Sequence, residues 1–472
     1  MKKGETIENL TVSGLAAEGK SIARINGQVI FLTGGAPGDV VTAEVTKVRS
    51  SFLEARVCAI TQPSPHRTTP FCEHFGICGG CSWQHIAYTT QLHYKQTQVV
   101  DNLERLGGLT LPTVEPILPA ANITHYRNRL DFTFTARRWL TSDELSLEPK
   151  INEPGLGFHI PRQYDKVFDV RTCYLQADPS NAIRLTAHRV AQQHGIPYFD
   201  LRKQVGFLRT LTIRTASTGD VMIILQVTYD RMDWIEIILS ALVSEYPAIT
   251  SANYIINGKR NDSFADLDVI CWRGNPYITE RMQRPTGDGD LHFRVGPKSF
   301  YQTNSRQAEA LYRRTWEFAR LSGDERVYDL YTGAGTIACF VAGQARAVIG
   351  LEYVAAAVLD AQANAALNGI TNATFFAGDM KDLLSTSFIQ DHGHPDVVIT
   401  DPPRAGMHED VCKTLLAARP KRIVYVSCNA ATQARDLQIL TTAYSLEQVQ
   451  PVDMFPQTMH VENIVLLERG DQ

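Results

Sequence analysis

From Gln302 onward the sequence alternates short apolar, β-branched runs with helical stretches, and this alternation restricts the fold more than any other feature of the chain. "NSRQAEALYRRTWEFARL" leads into "RVYDLYTGAGTIACFVAG", "AVIGLEY", "AAAVLDAQANAALNG", "ATFFAGD", "PDVVITDPP", "EDVCKTLLAA", "RIVYVSCN" and "AATQARDLQILTTA". Apolar strands separated by helices long enough to cross back over a sheet predict a doubly wound parallel sheet, which takes its ligands at the carboxyl ends of its strands. The chain has 472 residues, too many for one core, so this sheet is one of two or three domains.

The remaining sequence divides by pattern. Between Glu5 and Thr61, "TIENLTV", "SIARI", "QVIFL", "DVVTAEVTKV" and "LEARVCAI" predict five short strands, a small barrel of the OB type, with "TGGAPGD" (33–39) as its tight turn. "TQPSPHRTTPF" (61–71) reads as a linker. From about His125 to Pro297, strand-like "RLDFTFTA", "LRTLTIRT" and "VMIILQVTY" stand beside helix-like "PSNAIRLTAHRVAQQHG" and "DWIEIILSALVSEY", an α+β pattern. The expected domains are therefore 1–67, 68–297 and 298–472.

No segment approaches the roughly 20 apolar residues of a membrane span, so a cytoplasmic protein without a membrane partner is expected. The net charge of −4 carries no global sign of a nucleic-acid partner. Nine cysteines in so long a chain do not make a disulfide framework. "FCEHFGICGGCSW" nevertheless places Cys72, Cys78 and Cys81 within ten residues, and spacing alone leaves zinc completed by His74 or His85, a disulfide remnant and an iron–sulfur cluster all open. Cys58, Cys271, Cys339 and Cys412 have no partner pattern and are assigned to the core.

"DLYTGAGTIA" follows a strand and opens a helix, so Gly333 and Gly335 let backbone approach a cofactor at a helix N-terminus, with Glu352 after the next strand placed for a ribose hydroxyl. A dinucleotide and S-adenosylmethionine both need such an acid. Asp329 inside the first strand favours adenosylmethionine, because a nicotinamide enzyme keeps negative charge away from its pyrophosphate. In "TDPPRAG" two prolines stiffen the strand end that carries Asp401. Such a turn suits amino-group methylation equally well.

"VYVSCNAATQARDL" favours carbon instead. Cys428 is expected at the end of a strand and the start of a helix, where the dipole lowers a thiol pKa from its ordinary value of about 8.5 toward neutrality. A pyrimidine C5 has no lone pair to offer a sulfonium methyl. A thiolate added at C6 makes C5 electron-rich, and a base must then remove the C5 proton before the thiol leaves. Glu462 in "MHVENIVLLER" is the candidate base, with His460 on the same face if this is a strand.

Taken in order, these motifs resemble those of the RNA 5-methyluridine methyltransferases, in the iron–sulfur-containing form that acts on 23S ribosomal RNA. The resemblance rests on the barrel, the Cys72, Cys78, Cys81 cluster with Cys173 in "VRTCYL", "SFYQTN", "DLYTGAG", "DPPRAG", "SCNAAT" and "HVEN", and spans essentially the whole chain. It implies an α/β fold: a Rossmann-like adenosylmethionine methyltransferase sheet, an N-terminal TRAM barrel of OB type and an α+β middle domain. It also implies Cys428 as nucleophile and Glu462 as base, with Gln302, Tyr331, Gly333, Gly335, Thr336, Glu352, Asp379 and Asp401 around adenosylmethionine. Four thiolates, Cys72, Cys78, Cys81 and Cys173, would hold a 4Fe–4S cluster, with Gly76, Gly79 and Gly80 bringing backbone N–H groups to the sulfurs. Thr336 and "YTG" depart from the family pattern, where asparagine and "FCG" are frequent. RNA is the implied partner of a monomeric enzyme, ribosomal RNA first and tRNA as the alternative, with Lys298, Arg306, Arg404 and the Arg137–Arg138 pair as candidate phosphate contacts. A nicotinamide oxidoreductase and a catalytically silent RNA-binding protein are the competing readings.

Overall fold

The computed structural model describes residues 1–16 and 19–470. Its first unit is a closed barrel with strand order Thr6–Leu15, Ser21–Ile25, Gln28–Thr33, Phe52–Gln62, Val40–Val48. All five expected strands form. Alternation sends Val41, Ala43 and Val45 inward, where they meet Ile7, Leu10, Ile30, Leu32 and Leu53.

The segment expected to be a linker is bound to this barrel. Asp39, fully buried at the end of the glycine turn, accepts from the Ser64 backbone N–H at 2.8 Å and from Arg67 Nε at 2.9 Å. A side chain at Gly38, whose φ is +90°, would meet Ser64 Oγ at 2.8 Å. Polar, proline-rich composition looks like a linker whether or not its polar groups find partners; here they do.

The middle unit is a mixed seven-stranded sheet ordered Ile270–Gly274, Ile249–Ile256, Val221–Val227, Leu208–Thr215, Arg129–Thr135, Gly155–His159, Val167–Asp169. Helices Ser180–Gln193 and Met232–Glu245 cover one face through Ile183, Ile235 and Leu239. Met222, Ile224 and Ile255 on the other face join the core of the C-terminal unit, as does the hairpin Ile278–Gln283/Asp290–Val295.

That C-terminal unit is a second seven-stranded sheet, ordered Ala373–Ala377, Ala347–Glu352, Arg326–Leu330, Val397–Thr400, Arg422–Ser427, Glu462–Arg469, Tyr444–Val452. Five strands are parallel as expected. One strand departs from this: Glu462–Arg469 runs antiparallel to both its neighbours, Arg422–Ser427 and Tyr444–Val452, and inserts between them. Side chains alternate between two cores, Val397 and Ile399 on one face and Val398 on the other, which is why these strands read as unbroken apolar runs. Cys339 and Cys412 are buried as expected, but Cys58 and Cys271 are exposed, the first on the outward face of a barrel strand and the second on the exposed edge strand Ile270–Gly274.

Among the described residues no helix is long and apolar enough to cross a membrane.

Candidate active site

The carboxyl ends of the parallel strands lie side by side, and the residues there are held by backbone. Tyr331 directly follows the strand Arg326–Leu330 with φ of +62°, a left-handed conformation uncommon for a non-glycine residue, and Gly333 and Gly335 follow at +55° and +78°. A Cβ at Gly335 would lie 2.9 Å from the Ala361 Cβ. Glu352 accepts from the Gly333 N–H at 3.1 Å and the Val354 N–H at 2.8 Å, so it braces the turn from the neighbouring strand. Tyr312, which the sequence did not flag, is buried with its hydroxyl 3.3 Å from Thr336 Oγ1. Gln302 is buried, its carbonyl accepting from Asn128 Nδ2 at 2.8 Å. Asp379 caps the helix Met380–Leu383 on the outer side, exposed, with its charge felt by Tyr331.

Asp329 carries the clearest ligand signal. It is fully buried; Oδ2 accepts from Thr332 Oγ1 at 2.5 Å and the Ala338 N–H at 3.1 Å, while Oδ1 has no partner in the protein. Burial first, with the nearby Asp401 and Glu352 carboxylates adding, pushes Asp329 up to about 7 despite its two hydrogen bonds. A buried acceptor left open at the carboxyl end of a central strand fits the ammonium of an amino-acid moiety such as that of adenosylmethionine.

Cys428 and Glu462 meet through strand register. Ser427 and Asn463 are paired residues of antiparallel strands, so Cys428 and Glu462 are the next step outward. Asn429 caps the helix Ala430–Leu440 and donates from Nδ2 to the Arg404 carbonyl at 3.0 Å, which docks the Asp401–Gly406 turn beside the cysteine. Burial raises Asp401 to about 7. Burial and then Asp401 raise Glu462 to about 8, with Arg404 opposing.

The charge environment of Cys428 runs opposite to the lowered thiol expected from the helix start. The Cys428 thiol is pushed up to about 11, by burial and then by the Glu462 and Asp401 charges, against which Arg404 and the helix start are insufficient. His460 is a second correction: the strand starts at Glu462, so His460 lies in the preceding connection and shares no strand face with it. It is nevertheless near the site, held down to about 4 by burial and the charges of Arg404, Lys95 and Arg127.

The four cysteines come together from segments far apart in sequence. Cys72, Cys78, Cys81 and Cys173 line one cavity of about 260 Å³. Burial and then, beyond an opposing hydrogen bond, the Cys173, Cys81 and Cys72 thiols push Cys78 up to about 12. Gly80 N–H reaches Cys78 Sγ at 3.4 Å, whereas Gly79 N–H donates to the His159 carbonyl instead. The histidines are engaged elsewhere: His74 Nε2 accepts from the Arg171 N–H at 2.9 Å, and His85 Nε2 lies 3.1 Å from the Gly35 carbonyl. Among the described residues no three His, Cys, Asp or Glu side chains converge tightly enough to hold a single metal ion.

Of the candidate phosphate contacts, Arg137, Lys298, Arg306 and Arg404 are exposed. Arg138 is committed to Glu144 and Glu153. In the barrel, Arg56 pairs with Glu44, and Lys20 and Lys47 with Glu54, so much of its positive charge is internally matched.

A Rossmann-like sheet with a glycine turn, an open buried carboxylate and an appended five-stranded barrel defines an adenosylmethionine-dependent methyltransferase carrying a TRAM domain. Residues 270–470 match the tRNA (Uracil-5-)-methyltransferase family and residues 2–58 the TRAM domain. An uncharacterized RNA methyltransferase of Bacteroides thetaiotaomicron is 52% identical over 458 residues, covering 96% of this chain and 100% of the relative. One from Porphyromonas gingivalis is 51% identical, covering 98% and 100%. The chain belongs to this family of RNA (uracil-5) methyltransferases. Among solved structures it is similar to the Pyrococcus abyssi tRNA (uracil-54, C5)-methyltransferase in complex with S-adenosyl-L-homocysteine, at 26% identity and a TM-score of 0.74, covering 97% of this chain and 99% of that one.

Proposed function

We propose that this protein transfers a methyl group from adenosylmethionine to C5 of an RNA uridine through a covalent adduct at C6. The observation that carries the reading is the register that sets Cys428 beside Glu462 at the strand ends that also carry Asp401. Cys428 Sγ bonds to C6, and the C5–C6 π electrons shift toward the ring carbonyl. Adenosylmethionine supplies the methyl cation that C5 captures. Glu462 as carboxylate then takes the C5 proton, the C5–C6 double bond re-forms, and the C6–Sγ bond breaks to return the thiolate. The thiol is protonated in the resting protein, so addition requires its proton to pass to a base; Asp401, at about 7, is the carboxylate at hand. Gln302, Tyr331, Gly333, Gly335, Thr336, Glu352, Asp379 and Asp401 surround the cofactor in this reading.

A 4Fe–4S cluster held by Cys72, Cys78, Cys81 and Cys173 belongs to the same reading, supported by the resemblance and by the one cavity that these four side chains line. The cluster would hold the fold locally and would take no part in methyl transfer, which needs no electron. Iron and acid-labile sulfide in anaerobically purified protein, and their loss in Cys173→Ser, test this.

The resemblance puts uridine in ribosomal RNA first and tRNA uridine second as the target, while the likeness to the P. abyssi tRNA enzyme supports tRNA. RNA carrying 5-fluorouridine should trap a covalent complex that Cys428→Ala abolishes. Mapping 5-methyluridine in total RNA with and without the protein distinguishes the targets. A complex that survives loss of the thiol would falsify the covalent route.

A further inference from the structure

Helix Tyr88–Asp101 buries a polar face. Tyr88, Gln91 and Lys95 recur at i, i+3 and i+7, one stripe of the helix, and Gln91 and Lys95 are both 0% exposed. An ammonium taken wholly out of water costs several kcal/mol unless it is paired. Lys95 Nζ donates to Asp453 Oδ1 at 2.6 Å and to the Phe455 carbonyl at 3.0 Å. Tyr88 Oη donates to Asp453 Oδ2 at 2.8 Å. Gln91 and Gln457 form a reciprocal pair: Gln91 Nε2 donates to Gln457 Oε1 and the Gln457 N–H donates to Gln91 Oε1, both at 3.0 Å.

All of these bonds converge on one short connection. Val452 and Glu462 are cross-strand partners, so residues 453–461 bridge the last hairpin of the C-terminal sheet without strand hydrogen bonds of their own. Gln457 sits there at φ of +68°, a left-handed conformation that disfavours a non-glycine residue. Its carbonyl accepts from the N–H groups of Ser82 and Trp83, at 2.9 and 3.0 Å, just after Cys81. Beyond Gln457 the connection carries His460 and ends at Glu462. A well-packed hydrophobic face could hold a helix here equally well. A buried ion pair with reciprocal amides adds a fixed geometry.

We propose that Tyr88, Gln91 and Lys95 are positioning residues that set the 453–461 connection, and through it the placement of Glu462 for the step that removes the C5 proton and releases Cys428. The inference rests on the reading of Glu462 as that base. A displacement of about 1 Å in such a group can cost on the order of 100-fold in rate.

Full-length Gln91→Ala, Lys95→Met and the charge-relieved Lys95→Met/Asp453→Leu are compared with Glu462→Gln on unmodified substrate RNA with adenosylmethionine. Adduct formation, product release and thermal melting are read together. Expected is adduct formation within about threefold of the parent, release slowed roughly 10- to 100-fold, and accumulation of the covalent complex, with KM for RNA unchanged. Release at the parent rate in a folded variant overturns the proposal, as does equal loss of formation and release. Should Glu462→Gln itself fail to accumulate adduct, the base assignment falls and the clamp with it. If only the clamp variants release normally, the base assignment stands alone.

Discussion

Cys428 and Glu462 stand one step beyond the Ser427–Asn463 pair of two antiparallel strands, so a thiol and a carboxyl about 30 residues apart in sequence share one end of the sheet. Sheet hydrogen bonding brings the two side by side. The two therefore have separable roles: Cys428→Ala should abolish both methyl transfer and the 5-fluorouridine complex, while Glu462→Gln should lower turnover about 10²- to 10⁴-fold and leave the adduct on the enzyme. Denaturing electrophoresis of labelled RNA distinguishes the two.

In the proposed reaction Glu462 accepts the C5 proton as a carboxylate, and burial pushes it up to about 8. Turnover should consequently climb with pH through neutrality and level off above about 8, with the high Cys428 value steepening kcat/KM. A flat single-turnover profile across this range would contradict the assignment.

The same groups set a stability trend of opposite sign. Asp329, Asp401 and Glu462 have folded-state pKa values raised from 3.8, 3.8 and 4.5 to about 7, 7 and 8, so between those limits the folded protein binds more protons than the unfolded chain. Stability is lost as pH rises through this window. Glu462→Gln and Asp401→Asn should each raise Tm at pH 8 relative to the parent, with little change at pH 5, and lose activity at both. Calorimetry in the absence of cofactor reads it; a Tm lowered at pH 8 would count against the buried charges.

Gly335→Ala is expected to weaken adenosylmethionine binding and to cost about 1–3 kcal/mol of stability, because a left-handed φ and an approach of 2.9 Å to the Ala361 Cβ both oppose a side chain. Titration calorimetry checks the first and denaturant melts the second. Gly333, where nothing lies within 4 Å, should tolerate alanine better.

Asp39→Ala leaves Arg67 and the Ala36 and Ser64 N–H groups without their acceptor, and should destabilise the barrel by about 3 kcal/mol. Although burial raises the Asp39 carboxyl, hydrogen bonds from Arg67, Ala36 and Ser64 hold it below the usual carboxylate range. The stabilisation is therefore present above the unfolded value of 3.8 and is lost as pH falls through the folded one.

The barrel strands and the parallel sheet were legible because alternation and apolar runs are local properties: Val41, Ala43 and Val45 announce an inward face within five residues. The glycine turn, Asp401 and Cys428 were legible because each lies at a strand end that its own neighbours define. The helix Tyr88–Asp101 was not, since its buried face carries Gln91 and Lys95, polar residues that local pattern assigns to solvent. Their partners lie more than 350 residues away, in a connection whose shape no short-range preference specifies.

What the sequence determined by itself was the five barrel strands, the alternation of parallel strands and helices, and the glycine turn, all of which follow from residues close in the chain. Only the tertiary structure decided that Glu462 belongs to an antiparallel strand beside Cys428, that the distant Cys173 shares a cavity with Cys72, Cys78 and Cys81, and that the Cys428 thiol is pushed up rather than down. Proximity across a sheet and the charge environment of a buried site arise from long-range packing, and burial there outweighs the local helix terminus that favoured the thiolate.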